Sequence, residues 1–287
     1  MAIQNLSATA AGTVKLGDLD VNRLGFGAMR LTGEGIWGEP SDRTAAIAVL
    51  QRAVELDVNF IDTADAYGPE VSENLIAEAL RPYPNGLVIA TKGGLLRGGP
   101  GDWRPDGRPD HLKQACNESL ARLGVEHIDV YQFHRPDPAV PFDESLEALI
   151  ELRNEGKIRH IGLSNVTTEQ LEQALTKVPI VSVQNMYNID NRESEAVLRL
   201  CEKLGIAFIP YFPIGGNQGG VIASALEDIA NKHDATTRQI ALAWLLAHSP
   251  VMLPIPGTSS IDHLEENVSS VNITLTPDEL ARLEQAP

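Results

Sequence analysis

The stretch Asn59-Phe60-Ile61-Asp62-Thr63-Ala64-Asp65-Ala66-Tyr67-Gly68 changes character half-way along. Phe60 and Ile61 belong to a short apolar run of the branched and aromatic kind that forms buried strands. Asp62, Asp65 and Tyr67 then place two carboxylates and a phenol within six positions, closed by Gly68 and Pro69. A buried strand that ends in titratable groups is where parallel α/β folds carry their chemistry. Ordinary turn chemistry accounts for the same residues, since Asp and Gly favour loops, and the stretch alone leaves the two readings level. Two later strands break the tie, because LVIAT ends in Lys92 and VYQF ends in His134.

Working outward, the same unit recurs: apolar strand, loop, amphipathic helix, stop, next strand. The pattern predicts strands over Arg23–Met29, Asn59–Thr63, Leu87–Thr91, Asp129–Phe133, His160–Gly162, Ser182–Gln184, Ala207–Pro210 and Val251–Ile255. Helices are expected over Ser41–Glu55, Val71–Leu80, Pro109–Leu123, Asp143–Glu155, Thr168–Leu175, Arg192–Leu204 and Thr237–Ala247. A doubly wound open sheet would show a glycine fingerprint between its first strand and helix. Here Gly25-Phe26-Gly27-Ala28-Met29-Arg30 lacks the third glycine and runs into a loop as far as Pro40. The expectation is therefore an α/β fold, a (β/α)8 TIM barrel, with an N-terminal β-hairpin within Thr13–Leu24. Residues 1–12 read as a loose tail and 13–287 as one barrel domain.

Composition narrows the function. The chain has 287 residues, 43% of them hydrophobic, with a net charge of −16. So acidic a balance argues against nucleic acid, whose phosphates need clustered Lys and Arg. No apolar run reaches membrane-helix length, and the first dozen residues lack the regions of a signal peptide, so a cytoplasmic protein is expected. Cys116 and Cys201 have no metal-ligand spacing and read as small apolar packing groups. No metal site is expected. Two loops are long, Gly93–Arg108 and Phe212–Gly220. Trp103 in the first favours a lid over a disordered insertion.

Lys92 at a buried strand end requires a partner such as Asp62. With Tyr67 nearby, its ammonium favours the phenolate and makes the phenol a better proton donor near neutrality. His134 can donate a hydrogen bond to a carbonyl oxygen. Thr167-Thr168-Glu169-Gln170 already supplies a helix cap, which frees Ser164 and Asn165 for other work. Gln184 and Asn185 are strand-end amides in need of partners. Ile255-Pro256-Gly257-Thr258-Ser259-Ser260, before a helix, has the small residues and free N–H groups of a phosphate seat.

Asp62, Tyr67, Lys92 and His134, together with GLSN (162–165), Gln184, Tyr211 and IPGTSS (255–260), resemble the aldo-keto reductase family. The likeness runs from about Gly25 to Asn267. It implies a barrel that uses a nicotinamide cofactor without a Rossmann fold, reducing a small-molecule aldehyde or ketone to an alcohol. Tyr67 would be the general acid, with Lys92 and Asp62 lowering its pKa and His134 orienting the carbonyl. Ser164, Asn165 and Gln184 would hold the carboxamide and Tyr211 would stack on the nicotinamide. Gly257, Thr258, Ser259, His263, Glu266 and Asn267 would line the adenosine end, and Gly27, Ala28, Met29, Asp62, Phe212 and Pro213 would complete the cofactor contacts. Met29, Trp37, Tyr67, Trp103 and His134 would form the substrate pocket, apolar enough for aromatic aldehydes. GFGAMRLTGEGIWGEPSDR, YFPIGG and IPGTSS look most like bacterial pyridoxal reductase-like members.

There is one departure. Many NADPH-preferring members place a Lys or Arg at the 2′-phosphate seat, where this chain has Gly257 and His263. NADP is still the expected cofactor, with NADPH favoured modestly over NADH and more so as pH falls, since a histidine gains charge in acid. Two other readings stand beside this one. Lys92 is the residue a Schiff-base aldolase would use, and the family also contains cofactor-binding regulatory subunits.

Overall fold

Along a strand successive side chains alternate between faces, so in a closed sheet every second residue points at the barrel axis. The computed structural model describes residues 6–215 and 221–284. It opens with an antiparallel hairpin, β1 (Thr13–Leu16) and β2 (Leu19–Asn22). The main sheet follows with β3 (Phe26–Gly27), β4 (Phe60–Asp62) and β5 (Val88–Gly93). After a small antiparallel pair, β6 (Leu95–Leu96) and β7 (Arg104–Pro105), it continues with β8 (Ile128–Phe133), β9 (Ile158–Ser164), β10 (Ile180–Met186) and β11 (Ala207–Tyr211). Neighbours in the main sheet are parallel, in the order β11-β10-β9-β8-β5-β4-β3.

The expected eighth strand is an extended segment without a full ladder. Leu253 N–H donates to Phe208 O (2.8 Å) on one side, and Gly25 N–H donates to Pro254 O (2.9 Å) on the other. Residues 251–255 therefore join β11 to the start of the first strand and close the barrel. Pro254 and Pro256 remove the N–H donors that a regular strand would use there.

Two apolar cores result. The inner one stacks Phe60, Val88, Ala90, Val130, Ala207, Ile209 and Leu253 on the axis. Val14, Leu16 and Val21 of the hairpin join it, so the hairpin plugs the N-terminal end and leaves the C-terminal strand ends open. The outer core lies between strands and helices α1 (Arg43–Glu55), α2 (Val71–Leu80), α3 (Pro109–Leu123), α4 (Phe142–Asn154), α5 (Thr168–Leu175) and α6 (Glu195–Leu204). These six match the expected helices to within a turn. α7 (Val221–Lys232) was not expected from the sequence; α8 (Thr237–His248), α9 (Ile261–Ser269) and α10 (Pro277–Glu284) follow it.

Within the stretch read as a loose tail, Ala8–Ala11 form a 3-10 turn capped by Ser7, and buried Ala8 donates its N–H to Leu56 O (2.8 Å). Residues 1–5 of that tail, 216–220 of the second long loop and 285–287 lie outside the described residues. The first long loop is folded back by the β6–β7 pair. No helix among the described residues is long and apolar enough to cross a membrane, and both cysteines are buried free thiols.

Candidate active site

The period of two that fills the axis with Phe60, Val88, Ala90 and Val130 carries polar residues at its next inward positions. Asp62 follows Phe60, Lys92 follows Ala90, and Gln132 then His134 follow Val130. Lys92 is fully buried and spends each of its three N–H groups on an acceptor. These are Asp62 Oδ1 at 2.6 Å, Thr63 O at 2.8 Å and Tyr67 Oη at 3.2 Å. The second carboxylate oxygen of Asp62 accepts from Gln132 Nε2 (2.9 Å) and Gln184 Nε2 (2.7 Å).

Sequence reasoning passed over Gln132. Its signal was a lone amide at an inward position of an apolar strand. It reaches Asp62 across space left by Gly162, where a Cβ would come within 2.4 Å of Ser182 Oγ and 2.8 Å of Gln132 Cγ. Tyr67 is brought over Lys92 by the turn at Gly68, whose φ of +107° is open to glycine, and a Cβ there would meet Val71 Cβ at 2.4 Å. The ring lies edge-on to His134, with centroids 5.9 Å apart, and to Trp103, 6.4 Å apart.

Electrostatics sort these groups. Burial lowers the Lys92 amine, but Asp62 and Tyr67 outweigh it and hold the ammonium above its usual range. Burial pushes the Tyr67 phenol up, and Lys92 only partly offsets this. The expected fall in the Tyr67 pKa is thus corrected: the net direction is upward, because desolvating a phenolate costs more than one shared ammonium returns. Burial, and then the charges of Lys92, Arg135 and Arg97, depress His134 well below the usual imidazole range, so it is neutral. Its Nδ1 is buried without a hydrogen-bond partner among the described residues. Asp65 belongs elsewhere: burial and Glu73 raise its carboxyl well above the ordinary range, with Arg122 opposing.

Residues 23–287 match the aldo/keto reductase family. The chain is an aldo/keto reductase. It is 53% identical over 280 residues to an uncharacterized oxidoreductase of Schizosaccharomyces pombe, covering 98% of this chain and 91% of that one. It is 43% identical over 281 residues to pyridoxine 4-dehydrogenase of Escherichia coli, covering 96% and 98%. Among solved structures, an aldo-keto reductase of Klebsiella pneumoniae in complex with NADPH superposes with a TM-score of 0.80 at 28% identity, covering 95% and 94%.

In this aldo/keto reductase a cleft of about 1130 Å³ runs from the barrel mouth to the start of α9. Met29, Gly257, Thr258, Ser259, His263 and Asn267, all expected cofactor residues, line it. Glu266 does not line it; its carboxylate accepts from the Thr236 hydroxyl (2.5 Å). Tyr211 Oη donates to Asn165 Oδ1 (2.8 Å), and Asn165 Nδ2 donates to His134 O and Ser164 Oγ (both 3.0 Å), which brings that expected group together. Asn185 is structural instead, bracing the backbone N–H and C=O of Val166 (3.1 and 2.8 Å). Phe212 is 47% exposed beside Tyr211, and Pro213 is buried. Gly27 and Ala28 sit at the mouth, where Ala28 O accepts from Ser72 Oγ (3.3 Å).

Trp37 and Trp103 meet through a residue the sequence reading did not single out. The Arg97 guanidinium lies 3.5 Å from the Trp103 ring centroid and 5.6 Å from that of Trp37, and its Nη1 donates to Ala66 O (2.9 Å). The aldolase reading loses its support at Lys92. A nucleophilic amine must be neutral and free to swing, whereas this one is charged and held by three acceptors.

Proposed function

We propose that this chain reduces an aldehyde or ketone with NADPH, with Tyr67 handing its phenolic proton to the carbonyl oxygen. The observation that carries the reading is Lys92 Nζ, 3.2 Å from Tyr67 Oη, beside a neutral His134. Tyr67 keeps its proton through the neutral range because burial raises its pKa. Lys92 stands ready to stabilise the negative charge that develops on Oη as the proton leaves. His134 Nε2 donates to the carbonyl oxygen and fixes it near Oη, and being neutral it brings no charge that would compete with the transfer.

NADPH, when bound, supplies the hydride. The chain offers a fitting seat. Ser164, Asn165 and Gln184 present polar atoms at adjacent strand ends, and among the described residues Gln184 Oε1 receives no hydrogen bond, so it is free to accept from a carboxamide. Gly257, Thr258 and Ser259 line the cleft together. Trp103 lies edge-on to Tyr67 and shares Arg97 with Trp37, apolar surface that would suit flat aromatic aldehydes. With the E. coli relative named as pyridoxine 4-dehydrogenase, pyridoxal and pyridoxine are the first pair to test. The assay is loss of reduced-cofactor absorbance over a carbonyl panel that includes pyridoxal, with Tyr67→Phe as control. Turnover of no member of the panel, or undiminished turnover by the variant, would overturn the proposal.

A further inference from the structure

We propose that Arg238 is the residue that reads the 2′-phosphate of NADPH in this chain. The inference rests on the reading above that the cleft takes that cofactor. Between Gln239 and Ala281 the sequence contains no Lys or Arg. The loop at 255–260 and the whole of α9 therefore cannot supply a guanidinium or ammonium, and a dianion seated there must find a permanent cation on another element.

The structure brings one in from α8. Thr237 and Arg238, in its first turn, line the same cleft as Ser259, His263 and Asn267. That turn is pinned to α9 on both sides of Arg238. Thr236 Oγ1 donates to Glu266 Oε1 (2.5 Å), and Gln239 Nε2 donates to Ser269 Oγ (2.6 Å). Arg238 itself is exposed and enters no ion pair or side-chain hydrogen bond among the described residues. A planar fork of donors held at a cleft wall with no partner of its own is suited to phosphate oxygens.

The acidic neighbours have other commitments or lie opposite. Glu265 pairs with Arg52 (2.7 Å) and Glu266 holds Thr236, while Asp262 is exposed on α9 and Glu227 of α7 lines the cleft. The other guanidinium of the cleft, Arg30, sits by Gly257 at the barrel mouth, with its Cγ 3.6 Å from where a Cβ would be. Arg30 is therefore the rival reader, and its own variant separates the two guanidiniums. Because a guanidinium stays charged, discrimination by Arg238 holds across neutral pH, unlike the acid-dependent preference expected from His263 alone.

The test is calorimetric binding of NADP+, NAD+ and 2′-AMP to the full chain at about pH 6 and about pH 8, a range in which Arg keeps its charge. The proteins are wild type, Arg238→Ala, Arg238→Lys and Arg30→Ala. Losing a charge-assisted pair should weaken NADP+ and 2′-AMP about tenfold or more in Arg238→Ala, with NAD+ changed less than about twofold. Arg238→Lys should recover part of the loss, and Arg30→Ala should leave the NADP+ to NAD+ ratio as it is. The wild-type NADP+ to NAD+ ratio should not rise from about pH 8 to about pH 6, because the guanidinium stays charged while the 2′-phosphate, with a second pKa of about 6, begins to lose charge. An unchanged ratio in Arg238→Ala, or discrimination that vanishes with Arg30 instead, overturns this inference while leaving NADPH use intact. A wild type that binds neither dinucleotide overturns the proposed function and this inference with it.

Discussion

Gln132 and Gln184, from strands two apart in the sheet, deliver their amide N–H groups to the same oxygen, Asp62 Oδ2, at 2.9 and 2.7 Å. The buried carboxylate thus has partners on both oxygens, with Lys92 on the other. The charge pair beneath Tyr67 is accordingly a five-residue assembly of Asp62, Lys92, Gln132, Gln184 and Tyr67.

Removing one amide tests that assembly. Gln132→Leu should cost about 1–3 kcal/mol of stability, the range for leaving a buried acceptor short of a donor. Gly162→Ala should give a related loss by pushing the Gln132 side chain aside, since its Cβ would fall 2.8 Å from Gln132 Cγ. Urea unfolding of both variants measures this. Wild-type midpoints would show that the amide is dispensable.

Tyr67→Phe should cut turnover by about 10²–10⁴-fold, the range for loss of a general acid. Dinucleotide affinity should be nearly unchanged. Single-turnover kinetics separates the two, and near wild-type turnover would remove Tyr67 from the proton transfer.

Lys92→Met should lower activity and stability together, by about 3–5 kcal/mol in the latter, because Asp62 is then a buried charge without its cation. Asp62→Asn should harm catalysis less, since the Lys92 ammonium stays beside Tyr67. The reverse ranking in kcat would place the catalytic weight on the carboxylate.

His134 predicts a pH effect of definite sign. Its folded-state pKa is depressed, so on acidification the unfolded chain takes up the proton first. Stability from this residue is present above the ordinary imidazole range and falls as pH drops below about 6.5. The acid limb of a stability–pH curve should be shallower in His134→Gln, and an identical limb would mean that this imidazole charges freely in the folded protein.

Arg97→Met should free Trp103 and Trp37 from their shared guanidinium. Given about 0.5–2 kcal/mol for a cation–π contact, KM for aromatic aldehydes should rise about 2- to 30-fold, with kcat little changed. A proportional rise for short aliphatic aldehydes would show that the stack orders the loops and does not select the substrate.

Where chemistry sits at a strand end it was legible in the sequence, because alternation carries an apolar run straight into Asp62, Lys92 and His134. The barrel was legible for the same reason, together with helix lengths and stops. What escaped notice depends on distant partners. Gln132 matters through Asp62, 70 positions away, and Arg97 lay in a stretch whose Gly and Pro content masked its stacking. Arg238 is an unremarkable first-turn residue until α9 is set beside it. The upward shift of Tyr67 depends on how completely water is excluded, which no spacing reports. α7 follows a run of glycines that hid its start.

The segment that closes the barrel has a consequence for assembly. Gly27 and Gly257 pass so close that a Cβ on Gly257 would fall 2.4 Å from Gly27 O, and the cleft opens directly over this join between the two ends of the fold. Its walls combine residues 29–36 and 257–267 with residues of α7 and α8; the first two segments are more than two hundred positions apart, so the cleft is complete only once the last strand position has met the first. A dinucleotide seated there, as proposed above, would act as a clasp across the join. It should raise the unfolding temperature with its free concentration, and a chain cut short before residue 251 should lose nucleotide affinity altogether while its four reactive side chains remain encoded.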